Sequence, residues 1–242
     1  TGSFTKNGPG TLVLMGPGST YAGSTSVSNG VLRLAGGNDR LPAGSPLTVA
    51  NLGVLDLAGN TQTVATNVTF LGGMTHNGTL AGTAAAFDGR AGTVAADLQN
   101  ATYGLVKSTG GTLALLGNNS YAGGTVVSGG VLSILRDANL GAPGGALTLA
   151  GGTLQILGNY MTGFGARTVN WNTTANTMDI ASMSNVFSLA TVPSGAATLT
   201  KIGAGSLVTT VPLSYSGLTT VSAGTMVLAG NGGTSPLLVS GG

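Results

Sequence analysis

Only 6% of the 242 residues are charged, against roughly a quarter in ordinary soluble domains, and the net charge of +2 comes from eight scattered Lys and Arg set against six Asp. A chain without a basic stripe has nothing to track phosphates, so nucleic acid is excluded as a partner. The absence of Cys excludes disulfides, thiolate zinc sites and a cysteine nucleophile.

Hydrophobic residues reach 42%, which is enough for a core, and 44 Gly among abundant Ser, Thr, Val and Leu favour short strands joined by tight turns. The fold class is therefore all-β. No run of about 18 apolar residues is present, and no basic-then-apolar start, so neither a membrane helix nor a signal peptide is expected.

The first element pair lies in Phe4–Leu34, FTKNGPGTLVLMGPGSTYAGSTSVSNGVLRL, and the same pattern returns in Leu105–Ile134 and Leu199–Leu228. Lys6, Lys107 and Lys201 stand five residues before Thr11, Thr112 and Ser206. Tyr21, Tyr121 and Tyr215 stand six before Val27, Val127 and Val221. Lys6 to Lys107 is 101 residues, and Pro46–Asn60 answers Ala146–Asn159, so the larger units are residues 4–104, 105–198 and 199–242, the third truncated at Gly242.

A shorter period lies inside this one. Leu12, Leu32 and Leu55 begin alternating apolar strands at steps of 20 and 23 residues, and Leu113, Leu132 and Leu154 at steps of 19 and 22. Alternation over four or five residues predicts half-buried strands, and its recurrence predicts one stackable turn of a solenoid. Residues 1–242 are expected to form a right-handed parallel β-helix (β-solenoid) of roughly ten coils. Leu32, Leu34, Leu113, Leu115, Leu132, Ile134, Met226 and Leu228, with Leu12 and Leu14, should face inward. Val13, Arg33, Ala114, Ser133 and Val227 should face outward.

Between Gly82 and Tyr103, and between Tyr160 and Pro193, the pattern blurs around Phe87, Phe164, Trp171 and Phe187, so irregular coils or loops are expected there. In the third unit Thr209 replaces an inward Leu and Val211-Pro212 precedes the tyrosine. Because Pro cannot donate to a ladder, that corner should bulge or loop out.

The block GGTLALLGNNSYAGGTVVSGGVLSI resembles the passenger-associated transport repeat, also called the autotransporter-associated β-strand repeat, of type V secreted proteins. The resemblance implies a parallel β-helical passenger, exported through the periplasm and an outer-membrane barrel to the surface or surroundings of a Gram-negative cell. It also implies a non-enzymatic stalk or scaffold that promotes folding and secretion. The partner expected first is the translocator barrel of the same polypeptide; nothing near Gly242 resembles its alternating membrane strands. Adhesion to a host surface, to glycans or to identical passengers is the alternative, and a polysaccharide-active β-helix enzyme ranks below it.

Residues for chemistry are few. His76 is the sole histidine and no Gly-x-Ser-x-Gly elbow occurs, so His76 is read as an exposed polar turn residue. Paired carboxylates would have to come from Asp39, Asp56, Asp88, Asp97, Asp137 and Asp179, which are scattered; Asp56 should face outward, and Asp39 and Asp137 should serve turns. Gly8-Pro9-Gly10, Gly163-Phe164-Gly165 and Gly203-Ala204-Gly205 lack the third glycine and the helix of a dinucleotide fingerprint. No catalytic, cofactor-binding or metal residues are expected. The three lysines are read as solvated at the start of a coil, the competing reading being a repeated cationic site for anionic glycans. The tyrosines are expected at corners with their hydroxyls at the rim.

Overall fold

A computed structural model describes residues 2–172, 175–229 and 233–240; the truncation of the third unit at Gly242 lies outside them. Every strand pairing in it is parallel, as single-chain coils stacked on one another require. Thr25–Leu34 stacks on Leu47–Asp56, which stacks on Val68–His76, which stacks on Phe87–Val94. The column continues through Leu105–Lys107, Thr125–Val127, Leu147–Leu149 and Val169–Trp171. A second column runs from Thr112–Leu115 through Val131–Ile134 and Thr153–Ile156 to Ala175–Ile180. Both belong to a 17-stranded sheet, and two three-stranded sheets close parts of the third side.

The chain is thus a parallel β-solenoid of about 12 turns. Division by the sequence period gives about ten because the blurred stretches are also coils. Phe87–Val94 and Asp97–Gln99 form regular strands between Gly82 and Tyr103, and Val169–Trp171, Ala175–Ile180 and Val186–Leu189 do so between Tyr160 and Pro193. Their aromatics fill the interior. Phe87 lies 6.4 Å from Phe70 and 6.1 Å from Tyr121 between ring centroids, and Phe164 meets Phe187 edge-on at 4.9 Å. Large rings at inward positions break the Leu/Val signature without breaking the coil.

Alternation places the core as expected: Leu32, Leu34, Leu113, Leu115, Leu132 and Ile134 are buried in one continuous cluster. Leu12 is exposed, in contrast to its counterparts, because Thr11–Leu14 is covered by a coil on one side only, at Thr25–Leu34. Ser133 is buried, contrary to its expected outward exposure. Its hydroxyl donates to Gln155 Oε1 at 2.8 Å, and Gln155 Nε2 donates to Asp179 Oδ2 at 2.7 Å, so side chains along one outer column cover each other.

Asp56 is buried for a similar reason. It sits in register with Arg33 and His76, accepts from Ala58 N at 2.9 Å and Asn77 Nδ2 at 3.0 Å, and lies 3.5 Å from Arg33 Nε. His76 is the last residue of a strand, half-buried, and the turn begins at Asn77 with φ of 60°. At the Pro212 corner Leu213 and Tyr215 remain buried and Pro212 is exposed. Leu213 stands 12 residues after Lys201, as Asn119 does after Lys107, so this corner keeps the length of the second copy.

Buried amides satisfy the backbone where coils turn. Asn119 Oδ1 accepts from Leu98 N at 2.8 Å while its Nδ2 donates to Asn139 O at 2.6 Å. Asn139 in turn accepts from Leu135 N and Arg136 N and donates to Gly117 O. Each amide thus links neighbouring coils where the ladder is interrupted, and supplies the partners that buried backbone groups need.

The repeated lysine and tyrosine corner

The three motif lysines are buried: Lys107 and Lys201 are 0% exposed and Lys6 is 7%. This corrects the solvated reading. Strand alternation is the cause, since in Leu105–Lys107 the lysine lies two residues from buried Leu105 and so on the same face. Lys107 occupies the inward column in register with Val127, and that column continues to Leu149; Lys6 likewise precedes Val27 and Val49.

Each ammonium then bridges two coils. Lys6 Nζ donates to Gly8 O at 2.7 Å in its own coil and to Asn29 O at 2.8 Å in the next. Lys107 Nζ donates to Thr109 O and, at 3.0 Å, to Gly129 O. Lys201 Nζ donates to Ile202 O at 2.8 Å, Gly203 O at 2.7 Å and Ala223 O at 3.1 Å. Carbonyls gathered from two successive turns therefore hold the charge. The residue after each far acceptor is Gly30, Gly130 or Gly224, at φ of 68°, 59° and 68°. That left-handed backbone turns the carbonyls together beneath the ammonium.

The tyrosines complete the corner. Tyr121 and Tyr215 are fully buried, hydroxyl included, so these hydroxyls do not reach the rim. Tyr21 Oη shares a hydrogen bond with Thr25 Oγ1 at 2.5 Å, Tyr121 with Thr125 at 2.7 Å, and Tyr215 with Thr219. Thr125 Oγ1 also reaches Leu140 O in the following coil at 3.0 Å. Burial holds the Tyr21, Tyr121 and Tyr215 hydroxyls above the ordinary phenol range, against the opposing pull of their threonine partners. Burial pushes the Lys107 ammonium down, and Lys201 likewise, where the Asp179 charge opposes the shift. These are the directions expected when the charged form loses water.

Arg167 forms a further clamp that sequence reading missed. Its guanidinium is bonded bidentately to Asp137, at 2.7 Å and 2.9 Å, and donates to the carbonyls of Leu140, Gly141, Ala142 and Gly145. No local spacing signals it, since Asp137 lies 30 residues away. The remaining carboxylates are also engaged within the fold. Asp39 accepts from Thr63 N, Asp97 from Asn118 N, Asp88 pairs with Arg90, and Asp179 receives Gln155. Among the described residues no group of three or more His or Asp side chains could hold a metal. The repeated corner can fasten coils to one another, and it presents no nucleophile or acid–base pair.

Comparison with known proteins fits this repetition. The family model described as the passenger-associated-transport-repeat matches residues 4–34, 105–134 and 199–228, the three stretches that hold the lysine clamps and the tyrosine–threonine pairs. The chain is 39% identical over 139 residues, 57% of its length, to the adhesin BmaC autotransporter of Brucella suis biovar 1 (strain 1330). It spans about 4% of that relative's length. No solved structure matches.

Proposed function

Since this chain is a stretch of autotransporter passenger carrying three passenger-associated-transport repeats, we propose that it is a non-enzymatic β-helical stalk, displayed at or released from a Gram-negative cell surface, whose repeats drive coil-by-coil folding during secretion. The observation that carries this is the lysine clamp. An incoming coil adds to the last one by burying apolar side chains, completing a parallel ladder and delivering carbonyls to an ammonium already in place, all from residues about 22 apart. Such local closure needs little loop entropy and suits a chain that emerges progressively through the translocator barrel expected further along the same polypeptide. Deleting residues 105–134, which removes one clamp and one tyrosine pair, is expected to reduce surface display several-fold in an export assay with the full-length passenger. Undiminished display would defeat the folding role.

Adhesion is a second reading, favoured by the name of the relative and by an outward, mostly uncharged column in which Thr5, Ser26, Thr48 and Thr69 stand in register. The purified segment is then expected to bind host cells or to aggregate cells that display it, whereas a pure stalk does neither.

A further inference from the structure

The largest cleft in the described residues, about 370 Å³, is lined by Leu135, Arg136 and Tyr160, at a corner of the solenoid remote from the lysine clamps. Tyr160 is 83% exposed and Met183 81%, in a protein whose other large rings mostly lie inside. Gly158 forms the floor: a methyl group placed on it would touch Tyr160 Cδ2 at 3.7 Å and Leu135 Cδ2 at 3.8 Å, so its bare Cα keeps the space between those side chains open.

The tyrosine is presented on a fixed turn. Asn185, fully buried, donates from Nδ2 to Gly158 O at 3.0 Å and Met161 O at 3.1 Å, holding the backbone on both sides of Tyr160 from the coil beneath. An exposed ring on a preorganised turn loses little freedom when something stacks on it.

Arg136 supplies the charge. Arg33, Arg90 and Arg167 pair with carboxylates, and Arg40 donates to carbonyls. Among the described residues the Arg136 guanidinium alone among the arginines has no internal partner. A free planar fork beside a free ring fits a ligand with one apolar face and one carboxylate. An extended peptide is a poorer fit, because it would need an open strand edge. Thr153–Ile156, which leads into this corner, is paired on both sides, by Val131–Ile134 and by Ala175–Ile180.

We infer that the Leu135–Arg136–Tyr160 cleft binds an acidic sugar, its ring face stacked on Tyr160 and its carboxylate held by Arg136. This rests on the adhesive reading and gives it a site and a ligand class. The test is calorimetric titration of the 242-residue segment with oligosaccharides bearing glucuronic, galacturonic or sialic acid, each beside its carboxyl-reduced counterpart, and with an acidic peptide. At least one acidic sugar is expected to bind at least ten-fold more tightly than its reduced form. Arg136→Ala should erase that preference, Tyr160→Phe should retain binding, and Tyr160→Ala should abolish it, all with an unchanged unfolding midpoint.

Binding of none of the three acidic sugars, equal binding of acidic and reduced forms, or capture of the acidic peptide alone would overturn the assignment. Host-cell binding by the parent segment that survives Tyr160→Ala would also overturn the cleft while leaving adhesion intact. Failure of the parent to bind cells, together with failure to bind any sugar, would overturn both.

Discussion

Replacing Gly130 with alanine is expected to destabilise the solenoid by about 4 kcal/mol, the largest loss from adding a single methyl group at the repeated corner. Gly130 sits at φ of 59°, where a side chain costs about 1–2 kcal/mol before any contact is counted. The added Cβ would also overlap the carbonyl oxygens of Thr109 and Gly111 and the Lys107 ammonium. Two of those groups are backbone of the preceding coil and cannot move aside without opening the ladder to Val131, whose N–H donates to Gly111 O at 3.1 Å. Relief of the overlap therefore breaks ammonium and ladder bonds together, adding a few kcal/mol. The control is Gly144→Ala, at a glycine with nothing within 4 Å and no positive φ, where a change within about 0.5 kcal/mol is expected. Urea unfolding of both variants beside the parent decides the matter. A Gly130→Ala midpoint equal to that of Gly144→Ala would show that the clamp geometry is dispensable.

How far the chain could be read beforehand depended on which rule applied at each residue. Alternation of Leu113 with Leu115 and of Leu132 with Ile134, spaced 19 residues apart, carried the strand faces and the stacking, because a half-buried strand has one period. The same alternation, followed through Leu105–Val106–Lys107, points the lysine inward. The general preference of lysine for water points it outward, and the structure follows the local pattern because buried carbonyls wait for the ammonium. Phe87 and Phe187 escaped the pattern because an aromatic ring fills an inward position as well as Leu does, so their coils looked like loops. Arg167 and the cleft at Tyr160 depend on residues brought together from different coils, and their partners are invisible until the stacking register is known.

Lys107→Met is expected to cost about 2 kcal/mol, and the sign is the informative part. Methionine keeps the length and apolar body of the lysine stem, so the core stays filled. The change strips Thr109 O and Gly129 O of their donor, and a buried polar group left without a partner costs about 1–3 kcal/mol. Against this, the variant no longer buries an ammonium without a carboxylate beside it, which offsets part of the loss. Two orphaned carbonyls outweigh one relieved charge if the clamp fastens the coils; a variant as stable as the parent would mean that the lysine is only tolerated there.

The pH dependence separates the two terms. Burial holds the Lys107 pKa below its unfolded value of about 10.5. Between those values the unfolded chain binds more protons than the folded one, so the lysine makes parent stability rise with pH in that window. Above about pH 10 the tyrosines act in the opposite direction, because unfolded phenols ionise while Tyr21, Tyr121 and Tyr215 stay protonated in the fold. Lys201 and the tyrosines are common to parent and variant and cancel in the difference. The stability gap between parent and Lys107→Met should therefore widen as pH climbs from neutral toward 10, when the amine keeps donating to the carbonyls without the cost of a buried charge. A gap that stays constant or narrows would show that the ammonium charge, rather than its hydrogen bonds, holds the corner.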